Sequence, residues 1–401
     1  MSTVFVLNSG SSSLKYQLVN PDTAEVLAVG LVERIGSHNA RIVHESGGAE
    51  HKRIADIPDH AVALEMVLGM FAEYGPSLAD AGIVAVGHRV VHGGTKYSAP
   101  TVIDDDVLQG IRELVPLAPL HNPANITGIE AATKLFDVPQ VAVFDTAFFG
   151  TLPPEAYTYA IDRAVAAKYQ IRRYGFHGTS HQYVSEQVAA KLGRDDLKQV
   201  ILHLGNGASA SAVVAGRAVD TSMGLTPLEG LVMGTRSGDL DPAVVFTLSR
   251  VADMSIDDID NLLNKKSGML GLTGVADMRE VRDLANDGDP IARAALDVYV
   301  HRLAKYVGAY AAVMDGIDVL TFTAGVGENS ADVRQELVDR LGYLGLHVDP
   351  AKNAVRSKDA RIISPDDDVT KFEAGAGPVV MVVPTNEELA IAQQSIAAIS
   401  K

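Results

Sequence analysis

The sequence predicts an α/β protein of two domains, on three observations. Apolar β-rich runs alternate with helical periodicity along the chain. At 401 residues it exceeds what one hydrophobic core commonly serves. One plan also occurs twice: "VFVLNSGSSSLKYQLV" and "VILHLGNGASASAVVAGR" each read as an apolar strand, a Gly/Ser/Asn turn and a second strand. Asn8 and Asn206 lie 206 − 8 = 198 residues apart, about half the chain. Identity between the two segments is slight, so the echo suggests duplication on pattern alone.

Taken in order, residues 3–8 read as a strand, 14–19 as its hairpin partner and 26–32 as a third strand. Residues 59–74 carry Val62, Leu64, Val67, Leu68 and Phe71 at helical spacing. Residues 83–86 form a buried strand that runs into "GHRVVHGG". Asn122-Pro123 caps a helix through about Leu135, because proline suits the first helical position. A short strand over 141–144 runs into "DTAFFGTLPP", whose glycine and prolines mark a domain boundary. Beyond it come a helix over 180–192, strands at 200–204 and 212–214 with a turn at Gly216, and one long helix over 290–314. A strand at 320–324, another at 379–384 and a C-terminal helix from about Asn386 complete the pattern.

Composition excludes several classes. A net charge of −16 argues against broad binding to nucleic acid or anionic membranes. The absence of cysteine removes disulfides and thiolate metal sites and fits a reducing cytosol. No N-terminal leader pattern and no apolar run of ~18 residues occurs, so a cytoplasmic protein is expected. Asn125-Ile126-Thr127 matches a glycosylation sequon by chance.

Several stretches carry chemistry, each with a plainer reading beside it. "NSGSSSLKY" (8–16) is either a tight hairpin with a solvated lysine or a loop whose N–H groups and hydroxyls meet a phosphate chain. In the second reading Lys15 adds a point charge and Asn8 an amide oxygen. "HLGNGASAS" (203–211) offers the same equipment or the same hairpin. "TAGVGEN" (323–329) is a loop that meets a ribose or phosphate at a helix start, or a bare strand–helix turn. Arg89 and Arg236 suit a carboxylate or phosphate, or form structural ion pairs. His177 in "YGFHGTSH" is a ligand contact or a structural histidine. Asp145 holds a metal at a strand's carboxyl end or caps a turn. "PTNEEL" carries Glu387 in a first helical turn. No Walker A loop, HExxH or G-x-S-x-G elbow is present.

Together these stretches closely resemble the acetate kinase family. "NSGSSSLKY", "GHRVVHGG", "LAPLHNP", "FDTAF", "YGFHGTSH", "HLGNGASAS", "MGTRSGDLDP", "FTAGVGEN" and "PTNEEL" occur in the family's order over the whole chain. The resemblance implies the actin-like ATPase (ribonuclease H-like) superfold, with duplicated lobes and an interlobe cleft for nucleotide. It implies an N-terminal lobe over 1–147, onto which the helix 387–401 packs back, and a nucleotide-binding lobe over 148–386. It implies reversible transfer of the ATP γ-phosphoryl group to acetate, giving acetyl phosphate and ADP. The implied metal is Mg²⁺, replaceable by Mn²⁺, and the implied assembly a cytoplasmic homodimer.

By matching position, the resemblance implies Asp145, His177 and Arg236 as catalytic residues and Arg89 as the substrate arginine. Val91, Leu120, Phe176 and Pro227 match an apolar pocket for the substrate methyl. Lys15 matches a nucleotide-phosphate contact, and His203, Leu204, Gly205, Asn206 and Gly207 a phosphate-facing loop. Asp277, Met278 and Arg279, with Gly325, Val326, Gly327, Glu328 and Asn329, match adenosine-site segments. Asn8 and Glu387 match magnesium-associated positions. In many members a histidine follows "FDTAF"; here Phe149 and Gly150 follow. Propionate kinase is the close rival and butyrate kinase a remote one. An actin-like or chaperone-like ATPase with no organic acceptor is the rival from another class.

Overall fold

Two groups of strands, each alternating with helices, gather into two sheets in two separate units. The computed structural model describes residues 2–366 and 377–400. Unit 1 comprises residues 1–150 and 386–401, and unit 2 residues 151–385.

Unit 1 contains β1 (Thr3–Ser9), β2 (Ser13–Val19), β3 (Val26–Glu33), β4 (Ser37–Ser46), β5 (Ala49–Ile57), β6 (Ile83–Val90), β7 (Thr101–Val102) and β8 (Gln140–Phe144). They lie in the order β5-β4-β3-β2-β1-β6-β8-β7. β1 to β5 follow one another antiparallel, while β1, β6 and β8 run parallel. β1 is central and buried almost throughout, which accounts for its unbroken apolar run. Phe5, Tyr16 and Phe71, the last from the helix His60–Tyr74, pack as an aromatic cluster in the core. The helix Glu387–Ile399 packs on β1, β6 and β8. At Gly87 on β6 a Cβ would come within 2.6 Å of Ser395 Oγ and 2.8 Å of an Ile391 methyl, so glycine lets this helix lie close.

Unit 2 contains β9 (Lys198–Leu204), β10 (Ala208–Val214), β11 (Arg217–Thr221), β12 (Val319–Thr323), β13 (Arg361–Ile362) and β14 (Val379–Val382). Their order is β11-β10-β9-β12-β14-β13. β9, β10 and β11 are antiparallel neighbours, and β9, β12 and β14 run parallel. The strands β3-β2-β1-β6-β8 of unit 1 repeat the order and directions of β11-β10-β9-β12-β14. Asn8 sits in β1, opposite Lys15, and Asn206 in the turn just past β9.

Three sequence expectations change. The connection expected between strands ending at 204 and starting at 212 is a tight turn at Gly205–Gly207, closed by Gly205 N–H donating to the Gly207 carbonyl at 3.0 Å; from Ala208 the chain is already strand, paired with β9. "TAGVGEN" is itself a short helix, Ala324–Asn329, rather than a loop before one. Its last carbonyls, Gly327 and Glu328, accept from the buried Arg334 at 2.7 and 3.0 Å, a tertiary cap that outweighs glycine's poor helix propensity. Asn122 does not cap its helix; it lies within Asn122–Leu135, and its amide is committed to the backbone of His92. The hairpin β4–β5 and several helices of unit 2 escaped the sequence reading. Among the described residues no helix is long and apolar enough to cross a membrane.

Candidate active site

In unit 1 the functional side chains gather where β6 and β8 end. Arg89, in β6, presents Nε to Asp145 Oδ1 at 3.1 Å and Nη2 to Oδ2, a fork on a carboxylate that is 1% exposed. Asp145 follows β8 directly, and its own N–H is held by the Val90 carbonyl at 3.0 Å. Glu387 approaches the same guanidinium, with Oε2 3.9 Å from Arg89 Nε. Burial alone would lower the Arg89 pKa, but the charges of Asp145 and Glu387 outweigh it and raise it. Burial likewise pushes the Glu387 carboxyl above its ordinary value, against the pull of Arg89.

Two asparagines, read from the sequence as a helix cap and a chance sequon, hold this corner. Asn125 accepts from Val91 N–H at 3.1 Å and donates to the Ser9 carbonyl at 2.8 Å, tying the β1 end to the β6 end. Asn122 accepts from His92 N–H and donates to its carbonyl, both at 3.2 Å. The signal was there: two asparagines three apart share one face of a helix start. Asn125 is buried with both amide atoms bonded, so its sequon has no exposed acceptor. Lys15 pairs with Glu388 and is half exposed, and Asn8 is half-buried in β1 opposite Lys15. Val91 is buried, whereas Leu120 stands 58% exposed. Phe149 is buried with its ring edge-to-face on Phe148.

In unit 2 the turn 205–207 meets His177 and Arg236. A Cβ at Gly207 would lie 3.5 Å from His177 Nε2 and 3.7 Å from Arg236 Nη1, so both cationic-capable side chains face one bare α-carbon. His177 caps the helix Gly178–Leu192 in the left-handed region at φ 58°, a conformation that costs a non-glycine residue about 1–3 kcal/mol. Its ring stacks on His203 at 4.3 Å, and Nδ1 lies 2.9 Å from Ser209 Oγ. His203 Nδ1 lies 2.8 Å from Ser180 Oγ, which reaches Thr385 Oγ1 at the same distance.

Arg236 Nη1 donates to the Pro227 carbonyl at 3.0 Å, and among the described residues no carboxylate pairs with it. Burial lowers its pKa, the cost of holding a cation short of a counter-anion. The loop that carries it is clamped by the helix Pro290–Val313: Arg302 donates to the Gly230 carbonyl at 2.9 Å, and Tyr306 to Asp239 Oδ2 at 2.9 Å. Asp239 Oδ1 in turn accepts from Gly230 N–H at 2.8 Å. Phe176 is buried and Pro227 half-buried beside these groups.

A cavity of about 760 Å³ opens next to the turn. Gly205 and Asn206 line it from one side, and Gly325, Val326 and Asn329 from the short helix. Asp277, Met278 and Arg279 line it from the start of the helix Met278–Asn286. Arg279 forks onto Asp277 there, and its Nε and backbone N–H hold the Asp277 carboxyl down at about 2. His203, Leu204, Gly207, Gly327 and Glu328 are not among the residues that line it. Glu328 Oε1 accepts from Thr385 N–H at 3.2 Å, and burial raises its pKa. The volume falls within the ~300–1,000 Å³ of small-molecule sites.

The comparisons with known proteins agree in extent. The Acetokinase family model matches residues 3–393. An acetate kinase of Leifsonia xyli subsp. xyli is 56% identical over 403 residues, covering all of both chains. The crystal structure of Porphyromonas gingivalis acetate kinase aligns at TM-score 0.93 and 42% identity over all of both chains. A propionate kinase structure from Francisella tularensis aligns at TM-score 0.92 and 43% identity, over 99% of this chain and 100% of that one. The fold is therefore the two-lobed actin-like ATPase fold, and the chain belongs to the acetokinase family.

Proposed function

We propose that this protein transfers the γ-phosphoryl group of ATP to acetate, giving acetyl phosphate and ADP, and runs the reaction in both directions. It is a phosphotransferase with a carboxyl acceptor, as its relatives' names indicate. The observation that carries the reading is the convergence of His177 and Arg236 on Gly207, in the turn whose Gly205 and Asn206 line a nucleotide-sized cavity. An arginine half-buried with no carboxylate partner fits an anion that arrives with the substrate.

A simple carboxylic acid, with an ordinary pKa near ~4, is already ionised at neutral pH, so no base is needed to make the nucleophile. A carboxylate oxygen attacks the γ-phosphorus in line, and the protein supplies position and charge. Arg89 holds the acetate carboxylate, kept in place by its fork on Asp145. Asp145, with both oxygens engaged, aligns this arginine and does not abstract a proton. Arg236 and His177 meet the equatorial oxygens as charge spreads over them. Lys15 contacts the phosphate chain, and Val91, Leu120, Phe176 and Pro227 surround the acetate methyl.

The donors suit Mg²⁺. Asn8, Asp145 and Glu387 offer hard oxygens, and burial keeps the Glu387 carboxyl raised in spite of the charges of Arg89 and Lys15. Among the described residues no group of three or more His, Asp or Glu converges on one point. Magnesium at a phosphoryl-transfer site needs only one or two carboxylates, with phosphates and water completing its shell. Asn8 and Glu387 would hold the ion, through water where needed, and Asp145 would orient that shell; when bound, it neutralises phosphate charge. A cytoplasmic homodimer is the expected setting.

Propionate is the competing acceptor, since one methylene in an apolar pocket is worth only ~1–3 kcal/mol. Comparing ATP consumption with and without acetate tests the reading: turnover that ignores acetate would favour an ATPase with no organic acceptor.

A further inference from the structure

His177 does not stand alone against Ser209. Ser209 Oγ lies 2.9 Å from His177 Nδ1 and 2.7 Å from His181 Nε2, and Ser211 Oγ lies 2.8 Å from His181 Nδ1. Two periodicities make this possible. His177 and His181 are four residues apart and share one helix face, while Ser209 and Ser211 are two apart and share one face of β10. Ser209, Ser211 and His181 are all fully buried, so the line Ser211–His181–Ser209–His177 is sealed from water at three of its four members.

The proton count restricts this line. A hydroxyl has one proton and two lone pairs, so Ser209 donates to one histidine and accepts from the other, or accepts from both. A neutral imidazole has one N–H, so His181 donates on one side and accepts on the other. Burial, then the charge of His203, push the His181 pKa well below its ordinary value, which keeps it neutral. Three polarities then satisfy all three hydrogen bonds. In two of them Ser209 accepts from His177, which carries its proton on Nδ1 and, while neutral, turns a lone pair at Nε2 toward Gly207. In the other, Ser211 donates to His181 Nδ1, His181 Nε2–H donates to Ser209, and Ser209 donates to His177 Nδ1. The His177 proton is then on Nε2, the atom 3.5 Å from the Cβ position of Gly207.

We propose that Ser209 and His181 are positioning residues that hold His177 as its neutral Nε2–H tautomer, so that it meets a phosphoryl oxygen as a hydrogen-bond donor without first taking up a proton. The choice between the polarities rests on the reading above that an anionic phosphoryl group lies against Gly207. The same relay has a cost: protonating His177 puts a proton on Nδ1, so Ser209 has to turn its own proton away and accept instead.

The test is the ¹⁵N spectrum of the full-length, histidine-labelled protein at neutral pH without nucleotide, with His177 assigned by the loss of its signals in His177→Gln. The expected pattern is a protonated Nε2 and an acceptor Nδ1 at His177. In Ser209→Ala the His177 signals move toward a tautomer mixture. Acetate-dependent kcat falls about 10–100-fold, as for orienting partners of other functional histidines, while both KM values change little. Ser209→Thr, which keeps the hydroxyl, recovers most of both. If Ser209→Ala does not fold, Ser211→Ala breaks the relay at its far end and is expected to disturb the His181 and His177 signals together. A wild-type His177 protonated on Nδ1, or a tautomer and kcat unchanged in Ser209→Ala, would overturn the proposal. Full activity in His177→Gln would instead overturn the role of His177 in transfer, with the tautomer measurement standing on its own.

Discussion

Arg89 and Asp145 form a two-pronged ion pair in which Asp145 is 1% exposed and Arg89 19%. An arginine held along Nε and Nη2 has one face committed and the rest of its fork free to be aimed. Asp145→Asn keeps the shape but removes the negative charge against Arg89. It is expected to lower kcat strongly, with partial recovery in excess Mg²⁺; the measurement is kcat against Mg²⁺ concentration, and recovery that is absent would remove the metal-orienting part of the role. Asp145→Ala leaves a largely buried arginine with only the 3.9 Å approach of Glu387 and is expected to cost up to about 3–5 kcal/mol of stability by urea denaturation.

Arg236→Ala is expected to lower kcat by roughly 10³-fold or more, as for arginines that stabilise transferring phosphoryl groups, with the KM for ATP within a few-fold of the parent. A variant with near-normal kcat would show that the guanidinium facing Gly207 does not act on the transition state.

Gly207→Ala isolates geometry from charge. The new methyl would meet His177 at 3.5 Å and Arg236 at 3.7 Å, ordinary contact distances, so the fold should tolerate it. It would occupy the space in which these groups converge, and a displacement of ~1 Å at the reacting centre costs about 10²-fold. The expected outcome is an unchanged melting temperature with kcat down by about that factor; an unaffected kcat would place the phosphoryl group elsewhere.

How much of this was legible follows from where each signal resides. β1 announced itself because a central strand is apolar on both faces, and "PTNEEL" because capping chemistry is local: Asn386 does accept from Leu389 N–H at 3.1 Å. The helix Ala324–Asn329 was hidden because its stability comes from Arg334, which is sequence-distant enough to lie in the next helix. The β4–β5 hairpin had a Gly47-Gly48 turn, with φ 58° and 81°, between alternating runs; its many charged residues on one face obscured the pattern. Ser209 and His181 looked ordinary because what defines them is a hydrogen-bond chain between a helix and a strand. Spacing gave the histidines a shared face, but nothing in the sequence placed β10 against it.

Acid sensitivity should follow two buried histidines in unit 1. Burial pushes both His88 and His92 down to about 4, from an ordinary 6.5. A depressed histidine in the folded state means that the unfolded chain binds more protons between those values, so stability falls as pH drops from 6.5 toward 4. Each shift corresponds to roughly 3 kcal/mol at the acid end of that window. His92→Asn, compared with the parent by urea denaturation at pH 7 and pH 5, should show a smaller loss on acidification. Parallel losses would show that His92 is not held neutral by burial.

The central claim is acceptor-dependent phosphoryl transfer, and it is tested most directly by trapping the product. With ATP, Mg²⁺ and hydroxylamine, the account predicts acyl hydroxamate in step with ADP when acetate is present. It predicts a smaller kcat/KM with propionate, by the ~10–200-fold that one methylene allows, and ADP near background with no acceptor. ADP produced at the same rate without a carboxylate, or no hydroxamate from any short-chain acid, would contradict it.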